Sequence, residues 1–353
     1  LVYGAAIFGS GGGGSIEESL ALIDRTLTEG KAFHLARVEE VPDEAWLAVP
    51  YTCGSLVPAV PGAGVTLDGL PARMAYEALE HHCGELLFGV IPTEIGALSL
   101  AEAFCVAASL DRPMIDADPV GRSVPELDQS TLHLAGLPIH PFAVASTLGD
   151  IAVFTHVADD ARAELLVRAL AVSSGGTIGV ADHLTQAHRV KGAVIRGSVS
   201  LALRVGRTYL EAVERNLPAS RHIAHHHGGA ELFRGRVARV HWRDCPGFSA
   251  GDVEIEGTGA DQGQDYRIWF KNENLVAWRN GKVDLSAPDI ICLLDETRNR
   301  PCVHPDVCEG MLTTVIGLPA PHVWRTPEGV ALLGPRRFGF EIDHIPLEVM
   351  HPR

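Results

Sequence analysis

Three carboxylates and one guanidinium lie in two short motifs that are each expected to follow a strand. Glu94 stands in PTEIG, and Asp116, Asp118 and Arg122 stand in DADPVGR. Crowded carboxylates cannot all ionise cheaply, so such a group needs a metal ion, an arginine or a shared proton. Oxygen ligands from the three acids suit a hard divalent cation, and a single carboxylate with a raised pKa suits general-base catalysis. The alternative is structural: one aspartate caps a turn, and Glu94 caps the helix that follows.

A run of glycines precedes the first predicted helix. GSGGGGS spans residues 9–15, and ordered glycine is expected where something approaches the backbone closely or where φ is positive. Backbone N–H groups at a helix N-terminus bind anions, so this run is predicted to hold a substrate carboxylate or oxyanion. The predicted binding residues are Gly11, Gly12, Gly13, Gly14 and Ser15. The alternative is a tight strand-to-helix turn packed under another element.

Other side chains near these motifs complete the predicted site. His133 follows the acidic loop and is predicted to assist proton transfer. In PYTCGS, Thr52 and Ser55 could supply hydroxyl contacts, while Cys53 is either a thiolate nucleophile or, as we favour, a buried thiol. The remaining predicted substrate contacts are Thr93, Gly96 and Glu126.

Two further patterns resemble metal sites and are interpreted as structural. The three consecutive histidines at 225–227 lie in a predicted linker over 216–229, where neighbouring side chains point in different directions. Cys302-x-His304-x3-Cys308 has only a loose likeness to zinc spacing, because no second ligand pair follows it.

The elements that must position these residues change in type along the chain. Before about residue 120, apolar runs alternate with helical patterns, which predicts an α/β fold with a largely parallel or mixed sheet flanked by helices. Strands are predicted at 2–8, 46–51, 86–91 and 113–117, and helices at 16–27, 71–83 and 95–110. Further on, helices are predicted at 160–173 and 198–215, with a strand at 177–181.

The last third reads as all-β, with a hairpin at Asn280-Gly281. We therefore expect an α/β domain over 1–225 and a β-rich barrel or sandwich over 226–353. Because ligands bind beyond the carboxyl ends of parallel strands, the glycine run and the acids are expected to share one edge of the sheet.

Composition argues against several classes of partner. The chain has 353 residues and a net charge of −15, which disfavours nucleic acid and anionic membranes. Seven scattered cysteines, an odd number, favour reduced thiols and a cytoplasmic protein. No apolar run approaches the length of a membrane span, and no signal sequence is recognised.

Five ordered motifs then point to a family. GSGGGG, PTEIG, DADPVGRSVPEL, FKNENLVAW and VWRTPEGV resemble the S-methyl thiohydantoin desulfurase family, whose members occur beside or fused to hydantoinase and oxoprolinase-type proteins. The resemblance implies an N-terminal α/β domain, a β-rich C-terminal domain, and hydrolytic removal of sulfur from a five-membered ring bearing a carboxylate. Pro119-Val120 after DAD departs from the family pattern, which leaves the substrate open.

The mechanism that this resemblance implies uses the predicted site. The glycine run holds the anionic group, and Asp116 or Asp118 activates water directly or through a divalent metal. Arg122 or backbone N–H groups stabilise the intermediate. Glu94 or His133 then protonates the leaving thiol.

Two alternatives stay open. One is a nucleotide-binding enzyme that uses the glycine run for phosphate, and the other is a non-catalytic subunit of a hydantoinase-like complex. The expected partners are a small-molecule substrate and either a second copy of the chain or a hydantoinase-like protein.

Overall fold

The computed structural model describes residues 1–54, 70–243, 245 and 247–352. The chain forms two compact units that are interleaved along the sequence. Unit 1 comprises residues 1–14, 121–125 and 201–353, and unit 2 comprises residues 15–120 and 126–200. No helix in the described ranges is both long and apolar enough to cross a membrane.

Eleven α-helices occur in the described residues. They are α1 Val2–Phe8, α2 Ile16–Thr28, α3 Pro71–Cys83, α4 Ala97–Ser109, α5 Thr131–Leu134, α6 Asp160–Ser173, α7 Ala187–Val190, α8 Ser198–Glu214, α9 Ala219–His226, α10 Pro327–Leu333 and α11 Leu347–Met350.

Nine strands belong to unit 2 and eight to unit 1. Those of unit 2 are β1 Leu35–Ala36, β2 Trp46–Gly54, β3 Leu87–Val90, β4 Met114–Ile115, β5 Ala117–Asp118, β6 Phe142–Ala145, β7 Ile151–Phe154, β8 Thr177–Gln186 and β9 Ile195–Arg196. Those of unit 1 are β10 Ala230–Arg243, β11 Ala250–Gly257, β12 Asp265–Lys271, β13 Glu273–Arg279, β14 Lys282–Ser286, β15 Ile290–Asp295, β16 Arg300–Pro301 and β17 Leu312–Leu318.

Unit 2 is built on a seven-stranded mixed sheet in the order β1-β4-β3-β2-β8-β6-β7. The first four strands are parallel, and β8, β6 and β7 are antiparallel. Its apolar core includes Leu47, Tyr51, Phe142 and Val180, each almost fully buried. The mixed sheet flanked by helices confirms the predicted α/β class.

Unit 1 is built on an eight-stranded antiparallel sheet in the order β14-β13-β12-β11-β10-β17-β15-β16. The sheet is open at β14 and β16, so the described residues form no closed barrel. The hairpin predicted at Asn280-Gly281 joins β13 to β14, and both residues have positive φ, at 49° and 75°.

Two predicted segments are wrong in type. The apolar run 2–8 is a helix rather than a strand, because a short continuous apolar run has no period that separates the two. Gly4 permits close packing of this helix against α8, because a Cβ at that position would lie only 1.8 Å from the carbonyl oxygen of Ala202. The predicted linker 216–229 contains α9, with Pro218 at its N-cap, so His225 and His226 belong to a helix.

Candidate functional site

The predicted carboxylates are held by local backbone contacts. Both oxygens of Asp116 accept hydrogen bonds from Ser200, at 2.9 Å from its N–H and 2.6 Å from its hydroxyl, in the first turn of α8. An acid there satisfies an orphan donor and the helix dipole. Asp118 is fully buried and accepts the N–H of Val120 at 2.8 Å. These contacts match the structural alternative, in which an aspartate caps a turn.

Glu94 makes a similar local contact. Its Oε1 accepts a hydrogen bond from the Ser99 hydroxyl at 2.7 Å, in the first turn of α4, and Gly96 is the N-cap of that helix. Within the described ranges, no three His, Cys, Asp or Glu side chains are grouped so that they could hold a metal ion. A divalent ion held by Glu94, Asp116 and Asp118 therefore stays a prediction.

Arg122 belongs to unit 1, whereas the three acids belong to unit 2. Its guanidinium donates to the backbone carbonyls of Pro288 at 2.8 Å, Asp289 at 2.9 Å and Ser123 at 2.9 Å. Fully buried, it ties residues 121–125 to the β14–β15 loop. These hydrogen bonds hold backbone segments of unit 1 together.

The glycine run follows a helix and packs within unit 1. A Cβ on Gly11 would lie 2.7 Å from Nε2 of His304, and one on Gly12 would lie 2.0 Å from Oε1 of Glu273. Gly11, Gly13 and Gly14 have positive φ. The side chains that approach this backbone are thus those of its own unit, and a carboxylate beside Gly12 has the wrong charge for a phosphate. Anion binding by the run stays a prediction.

The structure defines the surroundings of three other predicted residues. Ser15 caps α2 by accepting the Glu18 N–H at 3.2 Å. Thr52 donates from its N–H and its hydroxyl to Glu102. Burial raises the pKa of Cys53 to about 12, so its thiol keeps its proton at neutral pH.

The remaining site residues have their own local contacts. His133 contacts Asp160 at 2.7 Å, with 41% of its side chain exposed. The N–H of Glu126 donates to Gln129 at 3.1 Å, and Thr93 is half-buried. Ser55 lies outside the described residues.

A feature that the sequence patterns did not single out lies in β8. Leu47 pairs with Thr185 and Val49 pairs with Asp182, so the single residue Ala48 faces both His183 and Leu184. This is a β-bulge, and His183 takes a φ of 48° in it. Positive φ is uncommon for residues other than glycine, and bulges are enriched beside active sites, where they re-aim a side chain.

The bulge brings two consecutive side chains together. In a regular strand Asp182 and His183 would point to opposite faces, but here Nδ1 of His183 lies 2.8 Å from Oδ1 of Asp182. The hydroxyl of Tyr51 donates to the other carboxylate oxygen at 2.7 Å. All three residues are nearly fully buried. The carboxylate thus fixes the imidazole orientation, and Tyr51 fixes the carboxylate.

The electrostatics of the Asp182–His183 pair favour proton exchange at the imidazole. Burial lowers the pKa of His183, but the charge and hydrogen bond of Asp182, together with the charge of Asp160, outweigh burial, so the net pKa is raised. In the neutral ring, Nδ1–H donates to Asp182 and Nε2 carries the lone pair. Among the described residues this buried Nε2 has no hydrogen-bond partner. An oriented imidazole with a raised pKa is a suitable general base.

His183 lines a cavity of about 370 Å³ in unit 2, which is within the size range of small-molecule sites. The apolar walls include Trp46, Leu137, Pro138 and Leu184. The polar lining includes His82, His140, His183, Thr185, Gln186 and Arg189. Oγ1 of Thr185 is also buried with no hydrogen-bond partner in the described part of the chain. A bound ligand or an ordered water would complete the hydrogen bonding of both atoms.

Comparison with known families then identifies the chain. The N-terminal S-Me-THD-like domain matches residues 1–156, and the C-terminal S-Me-THD-like domain matches residues 158–347. The chain belongs to the S-Me-THD-like family. This confirms the family that the five motifs indicated, and it is consistent with a thiohydantoin-related role.

One solved structure shares the fold of this family member. The X-ray structure of a protein from Chromobacterium violaceum is 23% identical and superposes with a TM-score of 0.76, covering 98% of this chain and 96% of that one. No protein among the curated ones matches.

The sequence contains a pattern that could have indicated His183 as a functional residue. An Asp-His pair stands inside the apolar strand TIGVADHLTQ, which was predicted to end at residue 181. A buried charged pair is rare unless it is partnered. The sequence could not show that Tyr51 is a hydrogen-bond partner of Asp182, because the two residues are 131 positions apart.

Proposed function

We propose that the chain hydrolyses a small S-methyl thiohydantoin-like ring in the cavity beside His183 and releases the sulfur as a thiol. The family supports the ring chemistry. The single observation that carries the location is that His183, oriented by Asp182, lines the cavity.

The proposed reaction begins with addition of water. His183 accepts one proton from water at Nε2 as the water oxygen attacks the ring carbon that carries sulfur. The electron pair of the ring C=N bond moves to nitrogen, and Asp182 stabilises the imidazolium that forms.

The second step breaks the C–S bond. The oxygen re-forms a carbonyl, sulfur leaves with the bonding electron pair, and the imidazolium gives it the proton taken from water. The other proton of the water ends on the ring nitrogen. The products are a hydantoin-type ring and methanethiol, and His183 returns to its neutral form.

A thiol-release assay tests this assignment. The probe is an S-methyl thiohydantoin with an acidic side chain, and methanethiol is followed with a thiol reagent. We expect His183→Gln to lower kcat by about 10²-fold or more. The control His241→Gln removes an exposed histidine near an acid, Glu254, and should keep the wild-type rate. No turnover by the wild type, or full turnover by a folded His183→Gln variant, would contradict the proposal.

Asp116→Asn separates this assignment from the one predicted from the motifs. If Asp116 only caps α8, the variant loses about 1 kcal/mol of stability and still turns over. If Asp116 activates water, the folded variant loses turnover. Thermal unfolding and the thiol assay on the same sample distinguish the two outcomes.

A further inference from the structure

The cavity has an unusual charge for this protein. The chain carries a net charge of −15, yet the described residues that line the cavity include Arg189, His82 and His140 and, among them, no aspartate or glutamate. The Asp182 carboxylate behind the wall is hydrogen-bonded to His183 and Tyr51, so the positive charge of the lining itself makes this surface attractive to anions.

Arg189 is the fixed positive charge of this lining. It is exposed, at the end of α7, and makes no ion pair with any residue in the described ranges. Nearby basic residues are paired: Lys191 binds Asp43 at 2.6 Å and Arg196 binds Glu39 at 2.7 Å. An arginine beside a cavity that no described carboxylate pairs with, among neutralised neighbours, has donors to offer a ligand.

We propose that Arg189 is the specificity-determining residue of the cavity, and that it selects ligands by pairing with an anionic group such as a carboxylate. Arg189 and His183 both line the cavity, so a ligand anchored by its anionic group can present a ring to the imidazole. The identity of the ring rests on the proposed function, whereas the preference for an anion follows from the lining alone. This assigns anion recognition to α7 rather than to the glycine run.

Direct binding tests the proposal without turnover. The full-length His183→Gln chain is titrated calorimetrically with hydantoin-5-acetic acid and with its neutral amide. We expect the acid to bind at least tenfold more tightly than the amide. In the double variant His183→Gln, Arg189→Gln, the acid should bind about 10- to 100-fold more weakly than it binds His183→Gln alone. The affinity for the amide should change less than threefold.

Lys191→Gln is the matched control, because it removes a neighbouring positive charge that is paired with Asp43 and does not line the cavity. It should leave both affinities unchanged. The proposal would be overturned if Arg189→Gln weakened binding of the acid and of the amide equally. It would also be overturned if Lys191→Gln had as large an effect as Arg189→Gln, or if neither ring bound. Acid binding through Arg189 without wild-type turnover would reject the proposed function alone. Turnover that Arg189→Gln leaves untouched would reject this inference alone.

Discussion

Acidification should destabilise unit 1 through a single buried histidine. His304 is fully buried, its ring stacks on Phe270 at 3.8 Å between centroids, and burial lowers its pKa to about 3. Neither ring nitrogen has a hydrogen-bond partner among the described residues. The folded chain thus holds this imidazole neutral.

The magnitude follows from linkage. An unfolded histidine titrates near pH 6.5, so between pH 6.5 and 3 the unfolded chain binds about one more proton here than the folded chain. The free energy of unfolding is then at its full value above pH 6.5 and falls by about 1.4 kcal/mol for each pH unit below it. At pH 5 the loss is about 2 kcal/mol, and near pH 3 it approaches about 5 kcal/mol.

Urea unfolding at pH 7.5, 6 and 5 measures this loss. Four of the five tryptophans lie in unit 1, so fluorescence reports mainly on that unit. His304→Phe and His304→Leu remove the titrating group without removing a side-chain hydrogen bond. Each variant, compared with its own stability at pH 7.5, should lose about 2 kcal/mol less than the wild type by pH 5. Equal losses in wild type and both variants would refute the reasoning.

Three other expectations follow from described contacts. Asp182→Asn should lower the pKa of His183, so the acid limb of the kcat/KM pH–rate profile should move down by about one pH unit or more. An unmoved limb would contradict a role for the Asp182–His183 pair in turnover. Gly12→Ala should cost about 1–3 kcal/mol in urea unfolding, because its Cβ would lie 2.0 Å from the buried Glu273 carboxylate; wild-type stability would contradict this packing. Burial raises the pKa of Glu102 to about 7, so wild-type stability should fall by up to about 3 kcal/mol as pH rises from 4.5 to 7; Glu102→Gln should lack that slope, and retaining it would point to another group.

Local sequence patterns predicted much of the secondary structure. Helices were predicted at 71–83 and 160–173 with the bounds that the structure has. Both have strong punctuation, with Pro71 at the start of one and Asp159 capping the other. The strand predicted at 2–8 was wrong because nothing local decides between helix and strand there. The packing partner of this segment, α8, lies about 200 residues later.

The candidate site was harder to predict because it depends on pairing between distant strands. The residues Asp182 and His183 are visible in the sequence, but their meeting requires a bulge against β2. The predicted acids stand next to helix starts and a turn, where short carboxylates also serve as caps. A motif of this kind therefore gives the same signal for a capping role as for a catalytic one.

The interleaved path of the two units has a consequence for biosynthesis. Unit 2 is complete once residue 200 has left the ribosome, whereas the first fourteen residues must wait for the segment from 201 onward to complete unit 1. A split between residues 156 and 158, where the two family domains meet, would separate β8 from its neighbours β2 and β6. Half-length fragments cut there are consequently poor stand-ins for the whole polypeptide, whether as antigens, as crystallisation targets or as parts for a fusion enzyme.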